Sequence, residues 1–170
     1  MAATVGVFVY TSTNAATEST VQTGISFMSI DSNATDSGTR QSNPVVAGTT
    51  SFEKHVRLKA TVAPSVQWGN VKFWTDGTPM SNVGLRAKLA IGSGGATPGT
   101  GDSTPTATAM TGDTDAYAAT SGSKGTWDST ASIGAINTVS KALLLQLSPT
   151  GSATPGAWTQ ETLSYSYDEI

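Results

Sequence analysis

No cysteine occurs among the 170 residues of this chain. That excludes a disulfide framework, a thiolate nucleophile and a cysteine-built zinc site. Charge is scarce too. Asp, Glu, Lys and Arg together make up 12% of the chain, against roughly 25% in ordinary soluble domains. The net charge is −3, whereas a nucleic-acid binder needs a clustered basic footprint, so nucleic acid is not expected as a partner. No apolar run approaches the ~20 residues that span a bilayer, and no membrane partner is expected. The opening, Met1 to Tyr10, lacks the basic and long apolar regions of a signal peptide. Synthesis and retention in a cytoplasm is the expectation.

What fills the chain instead is Ser and Thr, nearly three residues in ten, with Ala and Gly behind them. Such a surface is polar but weakly charged. Hydrophobic residues reach 37%, and a chain of this length buries about two-thirds of its unfolded surface. One domain over residues 1–170, with a real core and no metal or disulfide staple, is therefore expected.

Strand signals recur along it. Val5 to Tyr10 is a β-branched and aromatic run, and Ile25 to Ile30 a weaker one. Residues 52–62 alternate: Phe52, Val56, Leu58, Ala60 and Val62 share one parity; Glu53, His55, Arg57, Lys59 and Thr61 share the other. Strict alternation predicts one buried face and one wet face. Lys54 breaks the apolar side, where its stem can snorkel outward. Val71 to Thr75 is a short strand before the Asp76-Gly77-Thr78-Pro79 turn. Residues 83–91 alternate again, with Val83, Leu85, Ala87, Leu89 and Ile91 against Gly84, Arg86, Lys88 and Ala90. Six of the nine basic residues fall in these runs, at Lys54, Arg57, Lys59, Lys72, Arg86 and Lys88, and are read as a solvated sheet face.

From about 92 to 125 the pattern dissolves into Gly, Ser, Thr, Ala, Pro and Asp. That is a long flexible loop, a flap, or a stretch hiding a short edge strand. Residues 138–147 fit either helix or strand spacing, and strand is favoured by the neighbouring strands and by Pro149 and Gly151. Thr159 to Tyr167 is the last run. Seven or so short strands without a long helix predict an all-β fold, an antiparallel β-sandwich or jelly roll.

The search for chemistry finds little. His55, the single histidine, sits on the parity expected to be wet and reads as an exposed strand residue. There is neither a Gly-x-Ser-x-Gly elbow nor a His-Glu-x-x-His pair. Asp102, Asp113, Asp115 and Asp128 lie in or beside the long loop but lack EF-hand spacing and read as solvated acids. Gly92 to Gly95 lacks the Gly-Lys-Ser/Thr ending of a phosphate loop. Asn33-Ala-Thr35 matches a glycosylation acceptor, which has no use without secretion. No catalytic, cofactor or metal residue is assigned, and the chain is not expected to be an enzyme. Aromatic residues are enriched at protein interfaces, which makes Phe8, Tyr10, Trp68, Trp74, Trp127 and Trp158 the candidate contact residues.

As a whole the chain resembles virion structural proteins of tailed bacteriophages, of the capsid decoration or cement type. The likeness rests on the missing Cys, the Ser/Thr/Ala/Gly texture, a start directly on a strand, the Pro149 to Gly156 turn and the closing Ala157-Trp-Thr-Gln-Glu-Thr-Leu-Ser-Tyr-Ser-Tyr167. It implies a β-sandwich that clamps major capsid subunits, a trimeric homo-oligomer, and a place on the capsid surface of the virion after synthesis in the host cytoplasm. Two other readings stay open: a receptor- or glycan-binding module of a tail or surface fibre, using the Trp residues and the long loop, and a glycan hydrolase.

Overall fold

The computed structural model describes residues 3–20, 22, 24–62, 67–89, 103–134, 136–154 and 161–169. Nine strands occur among them: β1 (Thr4–Thr11), β2 (Thr17–Glu18), β3 (Lys54–Val62), β4 (Trp68–Trp74), β5 (Val83–Leu89), β6 (Thr114–Asp115), β7 (Gly125–Asp128), β8 (Leu143–Pro149) and β9 (Ser164–Glu169). They form a six-stranded sheet in the order β2-β1-β3-β8-β5-β6 and a three-stranded sheet in the order β7-β4-β9. Every pair is antiparallel. Two such sheets around one core make a β-sandwich, the first of the two architectures expected from the sequence.

Register explains the core. Val5, Val7 and Val9 stand opposite Ala60, Leu58 and Val56, and side chains directly opposite share a face. On the far side of β3, Leu145 and Leu147 of β8 meet Ala87 and Leu85 of β5. These apolar rows pack in one cluster with Trp68, Val71 and Phe73 of β4 and Trp127 of β7, and with the partly buried Tyr165 and Tyr167 of β9. Tyr165 and Tyr167 donate their hydroxyls to the Val5 and Ala3 carbonyls, tying the small sheet to the first strand of the large one. Gly69 is required where the chain returns. A Cβ there would strike the Thr130 and Ala131 backbone, which crosses to receive the Asn70 N–H at Thr130 O, 2.9 Å away.

The ambiguous segment 138–147 resolves as strand: its apolar end runs into β8, and Val139 makes only an isolated bridge to Lys59. Two readings are corrected. Ile25 to Ile30 is not a strand; it crosses irregularly, anchored by the buried Met28, whose carbonyl accepts the Phe52 N–H. The following Asp/Ser/Gly stretch leads into a short helix, α1 (Ser37–Ser42), because the Asp36 carboxylate caps it by accepting the Thr39 N–H at 2.7 Å. Of the long loop, the described part holds β6, a 3-10 turn at Ala116–Ala118 and the beginning of β7. The hidden edge strand is thus the Thr114–Asp115 pairing with β5. Residues 90–102 lie outside the described residues.

Candidate functional site

The outer face of the large sheet carries most of the side chains capable of chemistry, and from Glu53 to Arg57 it is not wet. Glu53, His55 and Arg57, all on the parity expected to face water, are buried, His55 to 1% exposure. Register places Tyr10 between Glu18 and His55, and Phe8 beside Arg57. Here the burial of charge is offset by pairing and hydrogen bonding, without which it is costly. Glu18 accepts from the Tyr10 hydroxyl at 2.5 Å and from Lys59 Nζ at 2.7 Å. Lys59 Nζ also lies 5.1 Å from the Phe8 ring centre, and the Arg57 guanidinium 5.9 Å from that of Tyr10. Arg57 donates to the Ser140 carbonyl at 2.7 Å. His55 Nε2 is 3.4 Å from a Glu53 carboxylate oxygen, while Nδ1 has no partner among the described residues.

What shuts water out is chain 104–110. Glu53 donates its N–H to the Thr106 carbonyl at 2.9 Å, and Asn14 its N–H to the Thr104 hydroxyl at 2.9 Å. Thr50 donates its hydroxyl to the Ala107 carbonyl. The Gln146 amide uses both ends: it donates to Ser51 O at 2.8 Å and Thr108 O at 3.0 Å, and accepts from Met110 N at 3.1 Å. A histidine beneath such a cover does not meet a solvent-borne substrate. The exposed-histidine reading is corrected accordingly.

Lys54 is corrected as well. It does not snorkel; it is fully buried, with Nζ donating to the Ser32 carbonyl at 2.6 Å. Burial pushes its ammonium down to about 8, and the Asp31 carboxylate opposes that shift. Asp31 has its own work, accepting the Ser12 N–H at 2.6 Å.

The acids of the long loop are held apart. Asp113 pairs with Arg86 at 2.5 Å, and that guanidinium holds its carboxyl below the ordinary range. Asp115 caps the 3-10 turn through Tyr117 N. Asp128 is buried and accepts from Thr130 N at 2.9 Å and Lys141 N at 2.7 Å. Asp102 lies outside the described residues. No group of three His, Cys, Asp or Glu converges on a metal-sized site among the described residues.

The candidate contact residues divide by burial. Phe8 and Tyr10 form a small core of their own with Ala15 under the outer face. Trp68 and Trp127 are fully enclosed, their indole N–H groups donating to Thr138 Oγ1 at 3.3 Å and Lys141 O at 2.9 Å. These four are core residues of the folded chain: the two Trp lie in the main cluster, and Phe8 and Tyr10 lie beneath Lys59 and Arg57 beside Ala15. Trp158 lies outside the described residues. Trp74 alone among the rest is half-buried.

It stands on the outer face of the small sheet, opposite Ser164, with Lys124 Nζ 4.4 Å from its ring centre. Beside it is a depression of about 260 Å³ lined by Trp74, Thr75, Asp76, Ser121, Thr162 and Ser164. Thr75 Oγ1 receives the Gly77 N–H at 3.1 Å, and Asp76 Oδ1 the Thr78 N–H at 2.8 Å. Gly77 turns the corner at φ +80, a left-handed conformation that glycine adopts without steric cost. Behind Asp76, burial pushes the Glu161 carboxyl up, and the Asp76 charge adds to the shift. Sequence reasoning read Asp76-Gly77 as a turn only and passed over Ser121, Thr162 and Ser164, since hydroxyls are so common that none stands out. A second depression, about 250 Å³, lies against the Arg86–Asp113 pair and Gln146. No known protein family, curated protein or solved structure matches the chain.

Proposed function

We propose that this chain is a structural virion protein, a capsid decoration protein that stabilises a phage head by binding major capsid subunits, with a trimer as its working form. The observation that carries the reading is the sealed outer face of the large sheet. Its Glu53, His55 and Arg57 serve internal cohesion, so what the protomer offers outward is a Ser/Thr-rich, weakly charged surface. Such a surface works through area and shape, and stable interfaces bury about 1,200–2,000 Å². Among the described residues, four large apolar side chains, Ile30, Val46, Val62 and Ile136, are exposed to contribute to it. A cement also has to avoid pairing with its own kind through sheet edges, and β2 and β6, the edges of the large sheet, are two residues each.

The test is particle composition. Purified particles should contain the chain in a fixed ratio to the major capsid protein, with regular immunogold labelling over capsid faces. Particles that lack it overturn the reading. Labelling confined to tails moves the assignment to the second reading, a receptor- or glycan-binding module, which the half-exposed Trp74 beside a polar depression favours.

A further inference from the structure

We infer that the depression beside Trp74 is a binding site for a single neutral pyranose ring of a saccharide. The inference deepens the second reading and does not depend on where on a particle the chain sits.

Three observations converge on it. The first is an aromatic platform in the right place: Trp74 is half-buried on the outer face of β4, and its indole N–H has no hydrogen-bond partner among the described residues. By contrast, Trp68 and Trp127 have theirs occupied. An indole offers an apolar face with one polar handle, and a pyranose offers an apolar C–H face with hydroxyls around its rim. Second, the rim of the depression is rich in unclaimed groups. Ser121, Thr162 and Ser164 carry hydroxyls without partners among the described residues, and Asp76 Oδ2 is likewise open. Hydroxyls both donate and accept, whereas a carboxylate only accepts, so the set matches a ligand whose own groups do both.

Third, the site is held before any ligand arrives. Strand pairing of Trp74 with Ser164 and of Phe73 with Gly125 fixes the platform, and the Thr75–Asp76–Gly77 turn is closed by its own hydrogen bonds. A preformed site loses less ordering entropy on binding. Lys124 Nζ lies over the ring 4.4 Å from its centre, so a sugar that stacks there displaces this exposed, flexible side chain.

Charge and size narrow the ligand. The Asp76 carboxylate in the lining repels an acidic sugar and leaves a neutral one. A volume of about 260 Å³ falls below the roughly 300–1,000 Å³ of pockets that enclose drug-sized ligands. One ring fits. Binding is then weak for a single protomer, and display in many copies turns weak sites into useful avidity.

The experiment is a titration of the intact 15N-labelled chain, followed at its tryptophan indole N–H signals, with the methyl glycosides of glucose, galactose, mannose and N-acetylglucosamine. At least one glycoside should produce a saturable shift of the Trp74 indole signal, assigned by its loss in Trp74→Phe, with the Trp68 and Trp127 signals still. Asp76→Asn should weaken that binding about tenfold or more, the size of one lost bond to a charged group. Its unchanged Trp127 signal reports that the fold is intact. No saturable shift with any of the four overturns the inference, as do equal drifts of every indole or a shift indifferent to both Asp76→Asn and Ser164→Ala. None of these outcomes bears on particle incorporation, so the decoration reading is judged separately.

Discussion

The two outer faces of this sandwich begin from the same kind of sequence and end in opposite conditions. On the large sheet, β3 alternates apolar residues with Glu53, His55, Arg57 and Lys59; on the small sheet, Lys72 and Trp74 alternate with Val71 and Phe73 in the same way. The first outer face is sealed under chain 104–110; the second lies open, with Lys72 Nζ reaching Thr126 Oγ1 at 3.1 Å. Alternation identifies the apolar parity of a strand. Whether the other parity meets water is decided by chain that lies elsewhere in sequence.

The contrast is broken most sharply by truncating equivalent cations. Arg57→Ala removes a buried guanidinium from the Ser140 carbonyl and the Tyr10 ring, and should cost about 3–5 kcal/mol in urea unfolding. Lys72→Ala on the open face should stay within about 0.5 kcal/mol. Similar losses at both sites would show that the two faces are equally buried in solution.

Next in size is the pH profile of Lys54. Its folded ammonium is pushed to about 8 from an ordinary 10.5, so the folded state holds the proton less tightly than the unfolded one. The penalty is complete below pH 8, shrinks as pH rises through the folded value, and vanishes above the unfolded one. Stability should therefore climb by about 2–3 kcal/mol between pH 7 and 10, and Lys54→Met should flatten the climb. Above pH 10 the sign reverses, because burial pushes the Tyr117 and Tyr165 phenols up and the unfolded chain ionises first.

Gln146→Ala tests the cover itself. It should cost about 1–3 kcal/mol, and hydrogen exchange should rise at Met110 and Glu53 while the backbone of β4 stays protected. Smallest is the Arg86–Asp113 pair, whose guanidinium is 37% exposed. Asp113→Asn should cost under about 1 kcal/mol. Because the paired carboxyl has a lowered folded value, its contribution is present above pH 3.8 and fades as pH falls below that.

Much of the architecture was legible in the sequence. The parities of β3 and β5 identify the inner rows correctly, and the neighbours favour strand over 138–147, where β8 begins at Leu143. Three matters were not legible, each for a physical reason. His55 and Arg57 look solvent-facing because nothing local announces that Gln146 holds chain 104–110 beside Glu53 or that Ser140 comes to Arg57. Ile25 to Ile30 has the composition of a strand but pairs with none, and it instead buries Met28. The Trp74 depression draws on β4, the Asp76 turn, Ser121 and the approach to β9, and such a convergence has no signature along the chain.

The cover over the large sheet has a kinetic consequence. Its ties join residues far apart in sequence: Asn14 with Thr104 across 90 positions, and Thr50 with Ala107 across 57. Contacts of that separation form slowly, because a long loop closes before they reward it. The lid's ties end on Glu53 beside β3 and on Gln146 of β8, so those strands pair before it closes, leaving a transient species in which Glu53 and Gln146 face water. Refolding followed at the Gln146 side chain should lag refolding followed at Trp127, and the interval between them is when this chain is most prone to stick to its neighbours.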